Sequence, residues 1–177
     1  MEEVKALPTV QWHAIRKRMG PTWQQILDTP SVSWLSEVTY NSLTEAIRAE
    51  LGDMPTQQLY RRVGRRVLSN PNFQSFIESA IRLFGLSPHT LLKVAPRARA
   101  SVVNYSGTMT YQWVSERCAR LHLRDFPAST FASGTTIILL SGTWLGLLDA
   151  AGVASSARVA TENVDLRAGH TTFVLTW

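Results

Sequence analysis

The sequence predicts an α+β fold, with N-terminal helices and one long late helix packed on an antiparallel sheet of about four strands. Three observations carry this. Apolar residues recur at helical spacing over residues 39–94, the period shortens to two after Arg99, and a long apolar helical run separates two pairs of alternating segments. The 177 residues suffice for one domain with its own core, and there is no internal repeat, low-complexity tract or linker.

Residues 1–35 are punctuated by Pro8, Pro21 and Pro30. Trp12 and Ile15, then Trp23, Ile26 and Leu27, suggest two short amphipathic pieces lying over a core. Tyr40, Leu43, Ile47 and Leu51 form the stripe of a first clear helix, stopped by Gly52. A second helix over 56–69 places Leu59, Val63 and Val67 on its apolar face and ends at Asn70-Pro71. Phe73, Phe76, Ile77, Ala80, Ile81 and Phe84 mark a third, followed by Gly85. Ser87-Pro88 reads as an N-cap with proline at the first helical position, opening a short helix through Leu91 and Val94 that Pro96 closes.

Tyr105, Gly107, Met109, Tyr111 and Trp113 then alternate with polar residues, as do Ala119, Leu121 and Leu123, which predicts an antiparallel hairpin. Pro127 ends the second strand. A long helix follows over 130–151, with Gly152 as its C′ residue. Strands over 157–164 and 170–177, joined by a turn at Arg167-Ala168-Gly169, finish the chain.

Lys and Arg number 18 against 13 Asp and Glu, a net charge of +5 that permits contact with nucleic acid, anionic lipid or an acidic partner. The arginines cluster at 16–18, at Arg61, Arg62, Arg65 and Arg66, and at Arg97 and Arg99. Arg61/Arg65 and Arg62/Arg66 are i, i+4 pairs and make a positive helix face that could dock an anion or an acidic partner. No helix-turn-helix or RNP-type motif accompanies them, which weighs against nucleic acid. The single cysteine, Cys118, can form neither an internal disulfide nor a multi-thiolate metal site. No secretory h-region is present, and the most apolar stretch, 135–148, is interrupted and too short to span a bilayer. A cytoplasmic setting is expected.

Nothing in the chain assembles a reaction. The four histidines lie in four elements without metal-ligand spacing, the acidic residues show no motif pairing, and no phosphate-binding glycine loop or nucleophile elbow occurs. No catalytic residue, metal or cofactor is expected. His89, in the first turn of a short helix, could ligate haem only in an extreme reading, since no porphyrin motif accompanies it; a surface or capping role is the plainer one. Gly142-Thr143-Trp144-Leu145-Gly146 permits close backbone approach, within the monomer or across a dimer. The candidate walls of a ligand pocket are Phe76, Ile77, Phe84, Met109, Tyr111, Trp113 and Trp144, although such stripes also build ordinary cores.

Ser33-Trp34-Leu35, Leu59-Tyr60-Arg61-Arg62-Val63-Gly64-Arg65, the run Leu140 to Val153 and the closing Gly169-His170-Thr171-Thr172-Phe173 with Trp177 occur in an order that resembles a known family. It is the V4R/Bet3-like ligand-binding fold of NO signalling and Golgi transport, and more narrowly a bacterial, myxobacterial paralogous family of unknown function. The resemblance covers residues 33–177 and leaves 1–32 as an N-terminal extension. It implies a homodimer or assembly subunit with a hydrophobic pocket between sheet and helices. Val164 and Thr172 stand where related V4R domains carry zinc-binding cysteines, so no zinc site is expected. The function implied is a non-enzymatic regulatory or scaffold module that dimerises and binds a partner protein, with room for a small hydrophobic ligand. The alternative is nucleic-acid or anionic-surface binding through the arginine-rich helix face.

Overall fold

The computed structural model describes residues 6–29, 36–66, 78–79, 81–102, 107–165 and 167–177. Helices α1 (Thr9–Met19), α2 (Thr22–Asp28), α3 (Glu37–Leu51) and α4 (Asp53–Arg65) precede α5 (Pro88–Val102). The hairpin β1 (Thr108–Ser115) and β2 (Cys118–Arg124) follows, then the short α6 (Ala128–Phe131), α7 (Thr135–Ala150), and strands β3 (Arg158–Asp165) and β4 (His170–Thr176). The four strands form one antiparallel sheet in the order β1-β2-β4-β3. The α+β architecture read from the sequence is therefore the observed one.

Alternation decides which sheet face is dry. Met109, Ala119, Leu121, Leu123, Phe173 and Leu175 are buried on one side, with Met109 opposite Leu123 and Leu121 opposite Phe173. Against them pack Leu92 of α5, Phe131 of α6, and Trp144, Leu147 and Leu148 of α7. A second core joins Ile15 and Met19, Trp23 and Ile26, Leu43 and Ile47, and Leu59 of α4. The other sheet face carries Arg120, His122, Arg124 and Thr172. At the outer edge, β3 loses register between Glu162 and Asp165, where Asn163 adopts φ 51°.

The two cores meet where α4 lies against α7. A Cβ added to Gly142 would sit 2.3 Å from the Gln57 carbonyl oxygen, and one on Gly146 would sit 2.1 Å from that of Arg61. A Cβ on Gly64 would stand 2.3 Å from the Thr143 carbonyl oxygen. Backbones this close leave no room for any side chain, so the small residues of α7 are used inside the monomer. A homodimer cannot also be built on that face.

Several boundaries differ from the sequence expectation for local reasons. Pro96 does not close α5, which runs on to Val102. Proline forfeits one helical hydrogen bond, but Leu91, Leu92 and Ala95 are buried and anchor the helix. The long late helix does not begin near residue 130. Gly134, at φ 69°, breaks it into α6 and α7. The helix over 56–69 starts earlier, at Asp53, and buries Thr56, Leu59, Tyr60 and Gly64 while Val63 is exposed. Most of the helix expected over 73–84, with Phe73, Phe76 and Ile77, and the strand start at Tyr105 lie outside the described residues. Gly152, at φ 86°, ends α7 as expected, with the Val153 amide bonded to the Leu148 carbonyl. Among the described residues no helix is long and apolar enough to cross a membrane.

Replacing Gly146 by Ala is expected to lower unfolding free energy by about 3 kcal/mol, because the obstacles are backbone atoms that cannot step aside. Gly20→Ala meets open space but carries φ 54°, so about 1–2 kcal/mol is expected there. Urea denaturation of the two variants checks the ranking; a Gly146→Ala protein as stable as wild type would refute the close approach.

Candidate functional site

The arginine face of α4 is partly fastened into the fold. Arg61 donates through Nε and Nη2 to the two carboxylate oxygens of Asp149, at 2.7 and 2.6 Å, and Nη2 also reaches the Ala154 carbonyl at 3.3 Å. The Asp149 side chain is 2% exposed, and this hydrogen-bonded pair holds the Arg61 guanidinium above its ordinary pKa. Arg65 approaches the same carboxylate at 3.8 Å, and neither Arg62 nor Arg66 is free of partners. The face read as a docking surface thus begins with a residue that ties α4 to the end of α7.

A denser constellation surrounds His89. Ser87 Oγ accepts from the Thr90 amide at 3.1 Å, the N-cap that starts α5 and places His89 in its first turn. The imidazole lies flat on Trp113, with centroids 3.5 Å apart and planes 15° apart, and meets Trp177 edge-on at 4.7 Å. Its Nε2 is 2.9 Å from the Ser115 carbonyl and 3.2 Å from that of Glu116, while Nδ1 is 2.5 Å from the Tyr111 hydroxyl. Carbonyls only accept, so the tautomer that satisfies all three contacts carries its proton on Nε2 and takes the Tyr111 O–H at Nδ1. Burial raises the Tyr111 pKa, which keeps that hydroxyl a donor. The Trp177 amide bonds the Arg117 carbonyl at 3.1 Å. His89 therefore joins α5, the β1–β2 turn and the last residue of β4's extension in one aromatic cluster.

The described residues proposed as pocket walls do not all line one space. Phe84 is 63% exposed, with the Lys93 ammonium 5.2 Å from its ring centroid, and Trp113 is 56% exposed beside His89. Met109 and Trp144 are buried in the sheet core, where Tyr111 packs at the margin. Phe76 and Ile77 lie outside the described residues. Sequence reasoning missed the histidine cluster; its signal was the capped Ser87-Pro88-His89 turn together with the aromatic alternation of β1.

On the outer sheet face, a cleft of about 570 Å³ is lined by His122, Arg124, Asn163, Asp165, His170 and Thr172 among others. His122 is held by Thr172 Oγ1 at Nδ1, 3.0 Å, and by Gln112 Oε1 at Nε2, 2.8 Å. Burial, then the charges of Arg124 and Arg120, lower its pKa. His170 stands 3.3 Å from Asp125. Among the described residues no group of three His, Cys, Asp or Glu side chains could hold a metal ion.

No family model matches the sequence, and no curated protein matches it. Solved structures do match in fold. A variant of the Fe(II) unliganded H-NOX protein from K. algicida superposes with a TM-score of 0.64 at 11% identity, covering 99% of this chain and 92% of that one. An H-NOX protein from S. oneidensis gives 0.61 at 12% identity, covering 99% and 89%. A third structure, in which haem distortion in the H-NOX family was probed, gives 0.58 at 9% identity, covering 99% and 90%. The chain therefore has the H-NOX fold. This corrects the likeness to V4R and Bet3 domains. The motifs behind that likeness include the Arg61 and Gly142–Gly146 segments, which here make a close helix contact, and such contacts serve many α+β folds.

Haem fixed by a histidine requires a ring nitrogen whose lone pair is free to meet the iron. His89 offers none, because Nε2 donates to two carbonyls and Nδ1 receives the tyrosine proton. His122 has both nitrogens engaged on the outer sheet face, His13 is exposed, and His170 stands beside Asp125. Neither His89 nor His122 in this arrangement fits an axial haem ligand.

Arg61→Ala strands a buried carboxylate with Arg65 as its remaining neighbour, and about 3–5 kcal/mol of stability is expected to go. Equilibrium denaturation reads this; a loss below about 1 kcal/mol would mean the carboxylate finds adequate solvation. The depressed His122 pKa means that the unfolded chain binds the proton more readily. Its contribution is complete above the unfolded value near 6.5 and is lost as pH falls through the lower folded value. His122→Gln should therefore flatten the acid side of a stability–pH profile, and identical profiles would remove His122 from that role.

Proposed function

We propose that this chain is a non-enzymatic regulatory module on the H-NOX fold that acts through a partner protein and carries no haem on His89. The observation that carries the reading is the full engagement of the His89 ring by Tyr111, Trp113 and the Ser115 and Glu116 carbonyls. Coverage of 99% of the chain by H-NOX structures, at TM-scores of 0.64 and 0.58, supports the regulatory part. The non-enzymatic part is supported by side chains that serve packing: the Arg61–Asp149 pair closes two helices, and the His89 ring closes a turn. In this reading the histidine cluster is a rigid strut between α5 and the sheet.

A second reading, a small hydrophobic ligand in the sheet–helix core, rests on two buried polar atoms without partners. Trp144 Nε1 and Thr171 Oγ1 belong to α7 and β4, the two elements that face each other across that core. An apolar molecule carrying a polar atom toward each of them would satisfy them.

Titration of the purified protein with haem tests the first reading by visible absorption. The expected spectrum is that of loosely associated haem, the same in wild type and His89→Ala. A sharp Soret band in wild type that His89→Ala abolishes would overturn it. Native mass spectrometry of the same preparation tests the second: an added mass of a small organic molecule supports it, and a bare chain mass at low activation refutes it.

A further inference from the structure

We propose that the cleft at the corner between α1 and α2 binds a phosphate-bearing anion. The sequence concentrates charge there: α1 ends in Arg16-Lys17-Arg18, and neither α1 nor α2 contains an acidic residue before Asp28, which accepts from Gln24 Nε2 at 2.7 Å. A helix C-terminus favours a cation in its last turn, but the Gly20 amide already bonds the Arg16 and Lys17 carbonyls, and three consecutive cations exceed what the dipole asks.

His13, Arg16 and Lys17 share one face of α1 by their i, i+3, i+4 spacing and, with Gly20, Trp23 and Gln24, line a cleft of about 500 Å³. Arg16 and Lys17 are exposed, and neither has an ion-pair or side-chain hydrogen-bond partner among the described residues. Gly20, at φ 54° with open space where a Cβ would be, keeps the corner unobstructed.

The second observation comes from the wall of the cleft. Trp23 is 3% exposed, is braced by Trp12 with ring centroids 4.5 Å apart, and its indole N–H is buried without an acceptor. The cleft thus offers a guanidinium, an ammonium and an imidazole beside the Trp23 ring. A phosphate, with several acceptor oxygens and more than one negative charge, matches that set better than a carboxylate does. The same chemistry is presented by a soluble phosphate ester and by a phospholipid headgroup.

The full chain is titrated with inorganic pyrophosphate, followed by calorimetry and tryptophan fluorescence, and is floated with phosphatidylcholine vesicles with and without phosphatidic acid. Arg16→Gln/Lys17→Gln removes two exposed charges, and Arg124→Gln/Arg158→Gln removes two from the sheet as a charge-matched control. About tenfold weaker binding is expected for the first pair and little change for the second. Pyrophosphate binding without flotation supports a soluble ester. Flotation that needs phosphatidic acid and is lost in the first pair supports a headgroup. Equal weakening in both pairs, or no binding in either arm, would overturn the proposal.

Discussion

The contact between α4 and α7 is the constraint on which the rest of the molecule depends. Leu59, on one face of α4, belongs to the helical core, while Trp144, Leu147 and Leu148 of α7 belong to the sheet core. The two cores are joined where the backbones touch at Gly64, Gly142 and Gly146. Dispersion between such closely opposed surfaces is large in sum and fails steeply with separation. The Arg61–Asp149 pair closes the same seam at its end, where a buried carboxylate tolerates only a partner that meets both oxygens.

Much of this was legible in the sequence because it is local. The alternation of Ala119, Leu121 and Leu123 places β2, and Gly152 marks the end of α7, since both signals lie within the element they define. Gly134 escaped notice because the apolar run on either side is continuous, and only its left-handed backbone divides α6 from α7. Pro96 misled in the opposite direction, since the burial of Leu92 outweighs one missing hydrogen bond. The sites were harder to read. Arg61 and Asp149 are 88 residues apart, and His89 and Ser115 are 26 apart, so their chemistry exists only after the chain has folded. Composition could say that arginine was abundant on α4 but not which of them would be enclosed.

The H-NOX fold and the His89 environment bear on different questions. The fold follows from layers and connections, and it survives at 9–12% identity because many apolar sequences fill the same layers. A haem ligand is a property of one nitrogen atom. In this chain that atom's hydrogen holds the β1–β2 turn, which makes the histidine a component of the scaffold. The basic corner of α1 and α2 belongs to neither feature. It sits on the helical side, where charge is concentrated and a buried indole lacks its partner.

The lost register of β3 has a consequence for how copies of the chain behave at high concentration. An open four-stranded sheet ends in strands whose outer amides and carbonyls invite pairing with another molecule. Along β3, Asn163 turns its backbone to φ 51° between Glu162 and Asp165, so the outer rim is bent and flanked by two carboxylates. A second sheet approaching edge-on would meet a kinked strand before it could form a continuous ladder. The irregularity that looks like a flaw in the hairpin is thus a barrier to end-to-end polymerisation through that rim.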